Sequence, residues 1–233
     1  FIGYHTCKNI LIKNKKAKIF GVDNINDYYN QKLKRDRIKS LKNDYNKNKK
    51  FYFLKQNIAD LNNMEKIFKK HKISHVINLA AQAGVRYSLK DPFSYVENNL
   101  VGFHNILYLS KKYKIKHLVY ASSSSVYGNQ KKIRVKETDN VNPISVYANN
   151  KLMAENYIKY FSKYNINFVI LRLFSVYGIG QDLDNKNQGI CECEPHCSIK
   201  DKKSRCCKIT ISIFRPGSII ITGAKKKSHI ISS

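Results

Sequence analysis

The chain has 233 residues, 42% of them hydrophobic, and a formal charge of +27 from 43 Lys+Arg against 16 Asp+Glu. That length buries one good core and the beginning of a second. No apolar run reaches the length of a membrane span and no signal-peptide pattern is visible, so the composition argues against a membrane protein and for a cytoplasmic one.

The charge is spread along the chain together with abundant Asn, Ile and Tyr, which reads as biased composition more than as a nucleic-acid-binding arm. It suits an anionic ligand all the same. Of the six cysteines, five fall between Cys191 and Cys207 and only Cys7 lies elsewhere. A disulfide-stapled secreted protein distributes them differently, so this is a local patch in a reducing environment.

In chain order, a basic amphipathic segment follows Phe1-Ile2-Gly3, and Ala17–Val22 reads as a strand. Phe51–Lys55, His75–Ala80, Lys116–Ala121 and Asn167–Leu173 read likewise. Helical stretches between them include Leu61–His71, Pro92–Lys112 (with Pro92 in its first turn) and Tyr147–Tyr164. Strands alternating with helices predict a parallel sheet covered on both faces. From Asp182 to Gln188 the chain is polar and Asn-rich, a linker or junction. Beyond it, Cys207–Phe214 and Ser218–Thr222 flank the turn signal Pro216-Gly217, which predicts a hairpin.

Tyr147 and Lys151 stand at i and i+4 and share a helix face, so an ammonium there sits near the phenol and favours its ionised form. A dinucleotide-binding fold opens with a strand, a Gly-rich turn and a helix, and an acidic residue about 20 positions on holds the adenosine ribose. Gly3 fits the last glycine of such a turn and Asp23 the acidic residue, whose charge favours NAD over NADP. Asp60 reads either as a contact to adenine or as the N-cap of the next helix. Cys191, Cys193, His196, Cys197, Cys206 and Cys207 offer soft ligands for zinc, without a standard paired spacing.

Asn78-Leu79-Ala80-Ala81-Gln82-Ala83-Gly84-Val85-Arg86-Tyr87-Ser88, then Tyr95–Gly102, the run Ala121–Gly128 and Tyr147-x-x-x-Lys151 resemble the extended short-chain dehydrogenase/reductases over residues 1 to about 180. Within them the chain is most similar to the UDP-glucuronate 4-epimerases. The resemblance implies an NAD site lined by Gly3, Asp23, Asn24, Asp60, Leu61, Ala80, Ala81 and Gln82, supported by Asn99 from the long helix. It implies that Tyr147 is the general base and acid, that Lys151 binds the nicotinamide ribose, and that Ser123 bonds the sugar 4-hydroxyl. Ser124, Ser125 and Ser175 match positions that receive the substrate carboxylate. The reaction implied is a transient oxidation at C4: a proton goes to Tyr147, a hydride goes to NAD, the 4-keto sugar turns, and the hydride returns to its other face.

The expected architecture is an α/β, Rossmann-like doubly wound parallel sheet without its central first strand, over residues 1–181. A junction at 182–190 and a cysteine-rich β-hairpin tail at 191–233 follow, so the chain reads as a truncated or chimeric form. Lys208–Lys225 resembles part of one TATA-box-binding protein repeat, which keeps a DNA-binding protein as an alternative. Another nucleotide-sugar 4-epimerase or a dehydratase is the other alternative. A dehydratase of this family needs an acid pair after Ser123, where Ser124 and Ser125 stand. The expected partners are a UDP-sugar and a second copy of the chain, with DNA only through the tail.

Overall fold

A computed structural model describes residues 1–45, 48–130, 134–164, 166–176, 178, 180–181, 209–213 and 219–223. Its elements run α1 (Ile2–Lys13), β1 (Ile19–Asp23), α2 (Gln31–Tyr45), β2 (Phe51–Lys55), α3 (Leu61–His71) and β3 (His75–Asn78). They continue with α4 (Pro92–Tyr95), a π-helical turn (Val96–Val101), α5 (Gly102–Lys112), β4 (His117–Ser123), α6 (Val146–Phe161) and β5 (Asn167–Leu173).

The predicted alternation holds, but the parallel strands form two sheets. One pairs β1 with β2, and the other has the order β3-β4-β5. The expectation of one doubly wound sheet is therefore corrected to a Rossmann-like pair of parallel sheets. Among the described residues no strand joins the two sheets. With no described strand to accept and donate between them, β1 and β3 are both sheet edges.

Each sheet has its own core. Leu11 of α1, Leu41 of α2 and Phe51 of β2 cluster under the two-stranded sheet. The larger cluster joins Met64 and Phe68 of α3, Phe103, Ile106 and Leu109 of α5, Leu118 and Tyr120 of β4, and Ala154 and Ile158 of α6. Side chains bridge the two sheets. Val22 of β1 packs on the larger core, and the Asn105 amide donates to the Ile58 and Ala59 carbonyls at 3.1 and 2.9 Å. Gly102 lies where a Cβ would come within 2.7 Å of Ile58, so α5 approaches the β2–α3 loop only because it begins with glycine.

The helix predicted as continuous over 92–112 is interrupted by the π turn, which lets Tyr95 and Asn99 both face the loop after β3. Farther on, β6 (Ile209–Ile213) pairs antiparallel with β7 (Ile219–Gly223). The turn between them and the six candidate zinc ligands, Cys191 to Cys207, lie outside the described residues. Among the described residues no helix is long and apolar enough to cross a membrane.

Candidate functional site

The candidate residues gather at the carboxyl ends of the parallel strands, where open α/β sheets bind ligands. Asp23 ends β1 and Ser123 ends β4; Ala80–Gln82 follow β3, and Ser175 follows β5. Gly3 lies in the first turn of α1, its Cβ position 3.8 Å from Leu79 beside the same edge.

After β1 the chain turns sharply. Asp23 Oδ1 accepts the Ile25 N–H at 2.6 Å and Asn24 Oδ1 accepts the Asn26 N–H at 3.1 Å. Ile25 is thereby held at φ +53°, which a β-branched residue adopts only when its surroundings impose it. Lys34 fixes the turn from α2, donating to the Asn26 carbonyl and side-chain oxygens at 3.1 and 2.7 Å and standing 4.0 Å from Asp23. Asp60 is the N-cap of α3: it accepts the Asn63 N–H at 3.0 Å, and that bond holds its carboxyl below the ordinary range. Leu61, the next residue, packs on the larger core.

The loop after β3 is clamped by the long helix. Asn99, 2% exposed in the π turn, accepts the Gln82 N–H at 2.7 Å and donates to the Gln82 carbonyl at 3.0 Å. The Tyr95 hydroxyl reaches the Ala83 and Gly84 carbonyls at 2.6 and 2.5 Å. Every backbone polar group so satisfied is one that an irregular loop otherwise leaves bare. Gln82 itself is buried, and its Nε2 has no hydrogen-bond acceptor among the described residues.

Ser123 caps the short turn Ser124–Tyr127, accepting from the Ser125 N–H at 3.2 Å and from its hydroxyl at 2.9 Å. Ser123, Ser124, Ser125 and Ser175 line one open cavity of about 490 Å³ together with Val85 and Phe174. Across from them, Ser145 caps α6 by accepting the Ala148 N–H at 3.1 Å, which sets Tyr147 in the first turn. The Tyr147 ring lies 6.0 Å from that of Tyr95, edge to face. Burial pushes its phenol above the ordinary tyrosine range, and a hydrogen bond with Ser123 opposes that push.

Lys151 lies one turn deeper and is 3% exposed. Its Nζ donates to the Ala121 carbonyl at 2.7 Å and stands 4.9 Å from the Tyr120 ring and 5.8 Å from the Tyr147 ring. Burial pushes its pKa down to about 7, against the raising influence of Glu155. In the protein itself, then, burial holds the Tyr147 phenol above the ordinary tyrosine range, and the lowering expected from Lys151 is not among the influences on it; Lys151 lies under the ring face.

The structure adds residues that the sequence reading passed over. Tyr28 and Tyr29 pack edge to face at 4.6 Å, and Tyr28 lies 5.0 Å from Tyr87, walling the site beside Tyr95. Glu155 extends the Tyr147–Lys151 face by one more turn, a spacing visible in the sequence.

Comparison with known proteins identifies the family. The model of the family described as GDP-mannose 4,6 dehydratase matches residues 1–204. CapI of Staphylococcus aureus is 42% identical over 183 residues, which are 76% of this chain and 52% of that protein. UDP-glucuronate 4-epimerase 2 of Arabidopsis thaliana is 37% identical over 181 residues, 76% of this chain and 40% of that protein. A crystal structure of the Bacillus cereus UDP-glucuronic acid 4-epimerase, in complex with UDP-glucuronic acid and NAD, superposes with a TM-score of 0.70 at 34% identity. That match covers 79% of this chain and 56% of the other. The chain spans about half the length of the curated relatives it matches. It belongs to the GDP-mannose 4,6 dehydratase family, as an extended short-chain dehydrogenase/reductase of the epimerase kind.

Proposed function

We propose that this chain carries the catalytic half of an NAD-dependent nucleotide-sugar 4-epimerase that converts UDP-glucuronate to UDP-galacturonate. The observation that carries the reading is the placement of Tyr147 in the first turn of α6, held there by the Ser145 cap, with Lys151 buried one turn below it and a cavity lined by Ser123, Ser124, Ser125 and Ser175 at the end of β4. The residues fit a dinucleotide: Asp23 is an exposed carboxylate at a strand end, and Gln82 Nε2 is a buried donor lacking an acceptor among the described residues. Asp23 and Asn24 would hold the adenosine ribose; Asp60 and Leu61 would border the adenine, with Gly3, Ala80, Ala81 and Gln82 along the rest. When bound, NAD supplies the hydride acceptor and donor at C4 of the sugar.

In this reading Tyr147 Oη takes the proton of the sugar 4-hydroxyl and later returns it. Ser123 orients that hydroxyl, and its own hydroxyl favours the ionised phenol against the effect of burial. Lys151 holds the nicotinamide ribose. Ser124, Ser125 and Ser175 receive the sugar carboxylate with hydroxyl donors, which needs no buried countercharge. The serines after Ser123 favour epimerase over dehydratase, since neither is an acid.

The Tyr87–Leu89 turn, α4, the π turn and α6 expose Leu89, Phe93, Val96, Met153 and Tyr160, and we assign these apolar side chains to contact with a second copy of the chain. No described residue favours DNA binding; the β6–β7 pairing is common to any hairpin.

The test is purification of the chain with NAD, followed by incubation with UDP-glucuronate. UDP-galacturonate forms, and Tyr147→Phe lowers kcat by about 10²- to 10⁴-fold while NAD stays bound. Full activity in Tyr147→Phe would overturn the assignment.

A further inference from the structure

The proposed chemistry leaves one buried charge unused. Glu155 is 1% exposed, and three groups converge on it. The Ser122 hydroxyl donates to Oε1 at 2.5 Å. Arg172 Nε donates to both carboxylate oxygens at 3.1 and 3.2 Å, and Arg172 Nη2 to Oε2 at 2.8 Å. Arg172 is in turn fixed by the Glu137 carbonyl at 3.2 Å and by the Tyr127 ring, 4.9 Å from its guanidinium carbon.

The placement of these contacts matters. Tyr147, Lys151 and Glu155 stand at i, i+4 and i+8 of α6, a single stripe. The neighbouring β4 residues Ala121 and Ser122 receive the two lower members: Lys151 on the Ala121 carbonyl, Glu155 on the Ser122 hydroxyl. One strand segment therefore sets the height of both charges beneath Tyr147. The groups facing the Lys151 ammonium are Tyr147 and Glu155 from its own helix and Tyr120 from β4. Of these only Glu155 carries a carboxyl group. Arg172 of β5 grips Glu155 through its guanidinium, so the buried charges run cation, anion, cation.

A buried lysine without an anion sheds its proton, because desolvation penalises the charged form. We infer that Glu155 is a positioning residue, held by Ser122 and Arg172, that favours the charged form of Lys151 and keeps it in place beneath Tyr147. The catalytic part of this inference rests on the epimerase reading. The electrostatic part does not, and the two fail separately.

The alternative is that Glu155–Arg172 is only a structural ion pair tying α6 to β5. The experiment is a pH titration of the Lys151 Cε resonance in ¹³C-lysine-labelled full chain, assigned by its loss in Lys151→Met. Glu155→Gln should lower the Lys151 pKa by about one unit or more, the scale of one nearby opposite charge. Glu155→Asp keeps the charge but withdraws it by a methylene, and should give a smaller shift in the same direction. Ser122→Ala should do likewise, and both conservative variants remain available where Glu155→Gln fails to fold. Folded variants that all titrate like the parent, whatever their stability, would overturn the inference. Because this readout needs neither cofactor nor sugar, a chain that binds no NAD would sink the epimerase reading and leave this result standing.

Discussion

Replacing Asn99 tests how the loop after β3 is held. Its amide is bonded on both sides to the Gln82 backbone, at 2.7 and 3.0 Å, and both residues are buried. In Asn99→Ala the Gln82 N–H and C=O lose their partners with no route for water. Each bare group costs about 1–3 kcal/mol, so the pair predicts a loss of about 3–4 kcal/mol once some relaxation is allowed. For a chain of this size that is about 8–15 °C in Tm. Asn99→Asp sharpens the test. Its carboxylate still accepts from the Gln82 N–H, but its other oxygen faces the Gln82 carbonyl, and the charge is buried. Its folded pKa must therefore rise above the unfolded value of about 4. The sign follows: stability is fully present below about pH 4 and is lost as pH rises through the folded pKa. Urea unfolding at pH 5 and 7 should show Asn99→Asp gaining on Asn99→Ala at the lower pH. A loss under about 1 kcal/mol in Asn99→Ala, with no pH dependence in Asn99→Asp, would refute the clamp.

Three further outcomes follow. Gly128 has φ +64° and ψ −147°, and a Cβ there would meet the Asn142 carbonyl oxygen at 1.9 Å, so Gly128→Ala should cost about 3 kcal/mol or more in urea unfolding and distort the serine cavity. Lys151 has its pKa pushed from 10.5 down to about 7 by burial, so the unfolded chain holds more protons between those values and stability should rise with pH across that window. Lys151→Met should remove that rise, as read by denaturant unfolding from pH 6.5 to 9.5. Phe93 is 85% exposed among the apolar side chains assigned to a second copy, and Phe93→Asp should convert a dimer to a monomer in light scattering without altering the circular dichroism spectrum.

Much of this site could be read from residue order. Phe51–Lys55, Leu61–His71 and Asn167–Leu173 form over the residues their patterning indicates, because each is a clean apolar period bounded by polar residues. Ser123 to Ser125 and Ser175 are far apart in sequence, yet reach one cavity because β4 and β5 are parallel neighbours ending at the same edge. Which strands pair within each sheet was not legible, since strand patterning says which face is buried and nothing about which strand lies beside which. The π turn at Val96–Val101 was hidden for a similar reason: one extra residue in a helical turn leaves the apolar spacing nearly unchanged. Glu155 was legible as a position and not as a partner. Its i+8 spacing from Tyr147 was on view, but its burial depends on Arg172 arriving from β5.

The account stands most directly on the reaction at C4. Purified chain supplied with NAD and UDP-glucuronate, followed by proton NMR of the sugar, should show UDP-galacturonate appearing without net formation of NADH, and none with Tyr147→Phe. Absence of NAD binding together with no change in the sugar would contradict it.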